Sequence, residues 1–181
     1  MNKQEYFDFI KSFARENGAF KSSVINVSEV KTDIAFRDMC KANFCGKYGR
    51  CYTCPPDIGE IADLNSNLRK YEYMLVFQTV SELEDSFDVE GMEEAGRRHS
   101  MLLFSIMDKF GNDRLYLGAG GCTLCPKCAK ITNEPCRFPD KALTSLEAYG
   151  INVSDLATVA GMKYINGKDT VTYFGAMLFN Y

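Results

Sequence analysis

The chain has 181 residues and a formal net charge of −3, with hydrophobic residues at 46% and aromatics at 13%. This length suits one domain with a real core and is short for two, and the composition is that of a globular chain rather than a disordered one. The charge carries no nucleic-acid signature, and no apolar stretch approaches the roughly 20 residues of a membrane helix, so neither nucleic acid nor membrane is expected as a partner.

The opening MNKQEYFDFIKSF is amphipathic rather than an apolar signal-peptide core, and the expected location is cytoplasmic. Asn2 with Glu5 three positions on predicts a capped helix whose apolar face is Tyr6, Ile10, Phe13 and Ala14, with Gly18 past its end. Ser23 to Val30 and Ile34 to Arg37 are β-branched and aromatic enough to predict one or two strands leading into the first cysteines. After Cys54-Pro55-Pro56, Asp57 with Glu60 reads as a cap for a helix bearing Ile61, Leu64, Leu68 and Tyr71.

Tyr73 to Val80 is a nearly continuous apolar run, as in a strand covered on both faces. Gly91 to Phe110 predicts the longest helix, with Met92, Ala95, Leu102, Leu103, Ile106 and Phe110 inward, and Arg114 to Leu117 the next strand. Strand, helix, strand in that order predicts a parallel βαβ unit. Thr144 with Glu147 predicts another cap before a short helix closed by Gly150, and Asn152 to Ala160 one helix more. Asn166-Gly167, between Lys163-Tyr164-Ile165 and the run Val171 to Phe179, is a hairpin signal. The expected fold is a single α/β or α+β domain over residues 1–181. It has a mixed sheet containing a parallel βαβ unit, helices packed on it, and two cysteine-rich metal-binding loops.

Those loops hold all eight cysteines: Cys40, Cys45, Cys51 and Cys54 in CKANFCGKYGRCYTCPP, and Cys122, Cys125, Cys128 and Cys136 in GCTLCPKCAKITNEPCRFP. At about 4% of the chain they fall below the roughly 8–10% of a disulfide scaffold, and in a reducing compartment clustered cysteines point to metal. A C-x2-C-x2-C run followed by a distant cysteine fits a cubane iron-sulfur cluster, which takes one thiolate per iron. Seven residues separate Cys128 from Cys136, enough to return to the same site. Structural zinc also takes four thiolates, and it stays open as an alternative in one or both sites. The first group has only one of the two C-x2-C pairs that zinc sites commonly use.

Blander readings compete for the remaining motifs. Cys51-Tyr52-Thr53-Cys54 has thioredoxin-like spacing but would need an activated thiolate at a strand-to-helix turn. Gly118, Gly120 and Gly121 lack the dinucleotide-binding pattern and fit better as a backbone passing close to a cluster. Lys41, Lys47, Arg50, Lys127, Lys130 and Arg137 could offset an anionic cluster, although a solvated charged loop explains any one of them. His99, the only histidine, is expected partly exposed on its helix beside Arg97 and Arg98, and Tyr48 is expected as a packing residue.

The cysteine loop ending YGRCYTCPP, then GGCTLCPKCAK, EPCRFPDKALTSLEAYGINV and a hydrophobic C-terminal strand together resemble the prokaryotic family known as domain of unknown function 2284. The resemblance spans nearly the whole chain and includes all eight cysteines with Pro55, Pro56, Arg137 and Pro139. It implies cysteine-based metal binding and no particular reaction. The resulting expectation is a protein with two [4Fe-4S] clusters that carries electrons to or from a redox partner protein. The alternatives are a non-redox interaction module stapled by zinc and a small enzyme with an open iron site.

Overall fold

The structure, a computed structural model, describes residues 1–181. Helix α1, Lys3–Glu16, starts at the expected capping box: Asn2 Oδ1 accepts from the Glu5 amide at 3.0 Å, and the Asn2 amide donates to Glu5 Oε2 at 2.9 Å. Its buried Ile10 and Ala14 face the sheet. Strand β1, Lys21–Asn26, follows. The stretch expected as a second strand is instead helix α2, Ala35–Ala42, whose first turn contains Phe36 and Arg37. Short-range β-propensity is a weak guide there, and no neighbouring strand is available to pair with it.

Helix α3, Ile61–Leu68, buries Leu64 and Leu68 as expected but begins at Glu60 without a side-chain cap, so Asp57 does not serve that role. Strand β2, Tyr73–Glu82, has Tyr73 to Gln78 fully covered, which explains its unbroken apolar run. Helix α4, Val89–Phe110, is the longest element; Asp88 caps it by accepting from the Gly91 amide at 2.8 Å. Strand β3, Leu115–Gly118, two-residue β4, Thr144–Ser145, helix α5, Val153–Val159, and strand β5, Thr170–Phe179, complete the chain.

The five strands form one mixed sheet in the order β1-β2-β5-β3-β4. β5 runs antiparallel to both β2 and β3, so the α4 crossover joins two strands of the same direction with β5 between them. The directly bonded parallel pair is β3 with β4. The final strand does not fold back on Lys163-Tyr164-Ile165, which is not a strand; its ten residues pair with β2 instead. Long apolar β2 offers β5 far more burial than a three-residue partner could. Near β4 the helix closed by Gly150 is a single 3-10 turn that starts at Leu146 without a side-chain cap, so Thr144 does not serve that role; Ser145 Oγ accepts from the Ala148 amide at 3.1 Å.

Each sheet face carries its own core. Ile10, Leu102, Leu103 and Ile106 of α1 and α4 pack on Leu75, Phe77, Met177 and Phe179. Leu64, Leu68, Leu146, Tyr149, Ile151 and Leu156 cover Met74, Val76, Ala176 and Leu178 on the other side. Alternate residues of β2 and β5 thus serve different cores. His99 belongs to the first face and is only 2% exposed, contrary to the partly exposed position expected for it. It stacks on Phe77 with ring centroids 5.4 Å apart, and its Nδ1 is 2.9 Å from Thr79 Oγ1.

Candidate metal centre

Both cysteine loops hang from the end of the sheet where β3 finishes. The first does not leave a strand: Cys40 lies in the last turn of α2, and Asn43 ends that helix in the left-handed conformation at φ 57°. An asparagine tolerates that backbone, and its Oδ1 then accepts from the Tyr48 amide at 3.0 Å, fixing the loop that carries Cys45. The chain continues through Cys51 and Cys54, which are 1% and 9% exposed. The second loop leaves β3 through Gly118–Gly121 to Cys122, passes Cys125 and Cys128, and turns at Asn133, φ 55°, back to Cys136. All eight thiols are free.

Cys122, Cys125, Cys128 and Cys136 line one small cavity together with Leu124, Ala129, Arg137 and Phe138. The long segment between Cys128 and Cys136 does return to the wall that the triple run builds. The Arg137 guanidinium faces the Cys125 sulfur, which raises its pKa, and donates to the Lys127 carbonyl at 3.2 Å. In the first group, Cys40, Cys45 and Cys54 are near enough to influence one another electrostatically, and Cys45 is exposed. No three His, Cys, Asp or Glu side chains converge on a point where a single metal ion would sit.

The two groups meet at Cys51. Its sulfur lies beside the thiols of Cys54 and Cys128 and 3.3 Å from Thr53 Oγ1. Hydrogen bonding from Cys54, then from Thr53 and Cys128, outweighs burial and brings the Cys51 pKa down to about 5. Cys54 is pushed up, chiefly by that same contact with Cys51 and then by burial. The Cys51–Cys54 pair therefore favours one thiolate even without metal and disfavours a second. Burial raises Cys122 and Cys40, against an opposing pull from the Leu124 amide on the first and from Arg37 on the second.

Several residues that the spacing of the cysteines does not single out lock the loops together. Thr53, 6% exposed, accepts from the Cys122 amide at 3.3 Å, Tyr52 Oη donates to the Glu134 carbonyl at 2.7 Å, and Lys130 pairs with Asp57 beneath the Tyr52 ring. Of the glycines, Gly121 makes the close approach: a Cβ there would stand 3.2 Å from both Cys54 Sγ and Lys47 Cγ. A thioredoxin-like role for Cys51 and Cys54 loses its geometry, because six residues lie between Cys54 and the first residue of α3 and the pair leads out of a loop, not a strand. Tyr48 is half-buried, as a packing residue would be.

No curated protein and no solved structure matches the chain. The family model described as predicted metal-binding protein, DUF2284, matches residues 23–179, and with that coverage of loops and sheet alike the chain belongs to this family of predicted metal-binding proteins.

Proposed function

We propose that the eight cysteines hold two [4Fe-4S] clusters, one per tetrad, and that the protein carries electrons to or from a redox partner. The carrying observation is the cavity walled by all four cysteines of the second loop. With a Zn–S bond near 2.3 Å, a tetrahedral zinc site draws its sulfurs to within about 3.8 Å of one another. A cubane binds each thiolate to a different iron, so its ligands stand further apart around a central space. Four cysteines around one cavity, three of them at C-x2-C-x2-C spacing and the fourth distant, suit the second requirement.

When bound, such clusters supply one-electron transfer. The chain's own contribution is to hold the anionic sulfurs and keep the two sites adjacent. Arg137 stands beside the Cys125 sulfur, and the hydrogen bonds at Cys51 favour the thiolate form that ligation needs. Contact between Cys51 and Cys128 sets the groups side by side, which suits electron exchange within one chain. The test is low-temperature EPR on anaerobic protein before and after dithionite. Two overlapping signals appearing on reduction support the proposal, and a silent sample at every potential overturns it.

A further inference from the structure

A second cavity lies on the other side of Cys122. It is walled by His99, Ser100, Leu103 and Phe104 of α4, by the Gly118–Leu124 segment, and by Lys141 and Leu143. Cys122 and Leu124 belong to both cavities, so the two share a wall. No carboxylate lines this one, and Lys141 has no ion-pair partner. The amides of Ala119, Gly120 and Gly121 donate to no acceptor within the protein, and Gly120 takes φ 68°, the left-handed turn that gathers successive N–H groups into an anion-binding concavity.

His99 supplies the independent observation. Thr79 on β2 occupies its Nδ1, whereas Nε2 is buried and makes no hydrogen bond, the nearby Phe174 backbone lying outside hydrogen-bonding geometry. Nε2 sits over β5, 3.0 Å from where a Cβ on Gly175 would stand. Continuing the β3–β5 register one step beyond Leu117 and Ala176 sets Gly175 opposite Gly118, which lines the cavity together with His99. Leaving a buried polar atom unmatched is costly, and a small ligand in the cavity is a means of satisfying it.

We propose that this cavity binds a small oxoanion, a carboxylate or a phosphate, held by Lys141 and the Gly120 and Gly121 amides, with His99 donating from Nε2 at its inner end. The site adjoins the second tetrad but does not depend on which metal that tetrad holds. Because His99 is the sole histidine, its imidazole signals are unique in the protein.

The test is equilibrium dialysis of anaerobically purified protein against radiolabelled acetate and, separately, radiolabelled inorganic phosphate at low salt. Saturable one-site binding of either probe is expected; the tighter of the two identifies the chemistry. Lys141→Ala and His99→Gln should each weaken it by about tenfold or more, the scale of a hydrogen bond to a charged group. Lys168→Ala, far along the surface, should not. Since His99→Gln disturbs the core, Ser100→Leu, which fills the cavity from α4, serves as a second variant and should abolish binding. In parallel, nitrogen-15 spectra of the imidazole should show the proton on Nε2, with a shift on ligand addition. No saturable binding of either probe, equal loss in Lys168→Ala, or a proton on Nδ1 would overturn the proposal. None of these outcomes bears on the metal content, which is measured separately.

Discussion

Thr53 Oγ1 accepts a hydrogen bond from the Cys122 backbone amide at 3.3 Å, tying the two cysteine loops together across 69 positions of sequence. The same hydroxyl lies 3.3 Å from Cys51 Sγ, so one buried side chain touches a thiol of the first tetrad and the backbone of the second. Thr53→Val keeps the shape and removes both contacts. Stability should fall by about 1–2 kcal/mol, and hydrogen exchange should quicken in residues 51–57 and 119–124 alike. Faster exchange in one loop alone would show that the hydroxyl does not couple them.

Metal removal should act on the same segments first. The cysteine loops hold little regular structure, whereas β2, α4 and β3 are fixed by ladder bonds and packing. Chelation or oxygen damage should therefore loosen Cys40 to Pro56 and Cys122 to Pro139 before Tyr73 to Leu117. Equal protection of those loops with and without metal would contradict this.

Local closure of each tetrad predicts separable lesions. Cys136→Ser and Cys54→Ser, made in separate proteins, should each alter a different EPR signal of the reduced sample. If both alter the same signal, ligands are shared across the loops, and Cys51, lying between Cys54 and Cys128, is the residue through which sharing would occur.

Packing beneath the site is equally specific. A Cβ on Gly175 would stand 2.5 Å from Phe77 Cζ, and Phe77 is fully buried against the His99 ring. Gly175→Ala should cost about 1–3 kcal/mol through overpacking, measured by denaturant unfolding. An unchanged midpoint would mean that the ring has room to move.

Burial pushes the His99 pKa down to about 4 from the ordinary 6.5, against a smaller upward pull from the Phe174 backbone, whose geometry falls short of a hydrogen bond. A base whose pKa is lower folded than unfolded binds its proton more readily when unfolded. Its contribution is therefore complete above pH 6.5 and is lost as pH falls towards 4, by about 3 kcal/mol in all. Unfolding free energies of wild type and His99→Gln should converge over that window; a constant gap would contradict the assignment.

Much of this architecture is legible in the sequence where periodicity is long and strong. The α1 capping box, the run from Tyr73 and the α4 stripe each map onto an element, with Ile10 and Ala14, Tyr73 to Gln78, and Ala95, Leu102, Leu103 and Ile106 buried as expected. Errors fall where tertiary pairing decides. Ile34 to Arg37 looks like a strand but has no edge to join, and Asn166-Gly167 looks like a hairpin turn, although β5 finds its partner in distant β2. His99 reads as surface because it follows two arginines, yet the helix turns it inward onto Phe77. The cysteines themselves announce a thiol site, whereas Thr53, Tyr52 and Gly121 act through contacts between loops some 70 residues apart, and no local pattern marks them.

The central claim is tested most directly by quantifying iron, zinc and acid-labile sulfide per chain in anaerobically purified protein. Two cubanes predict about eight iron and eight sulfide with little zinc. Stoichiometric zinc without sulfide would contradict the account.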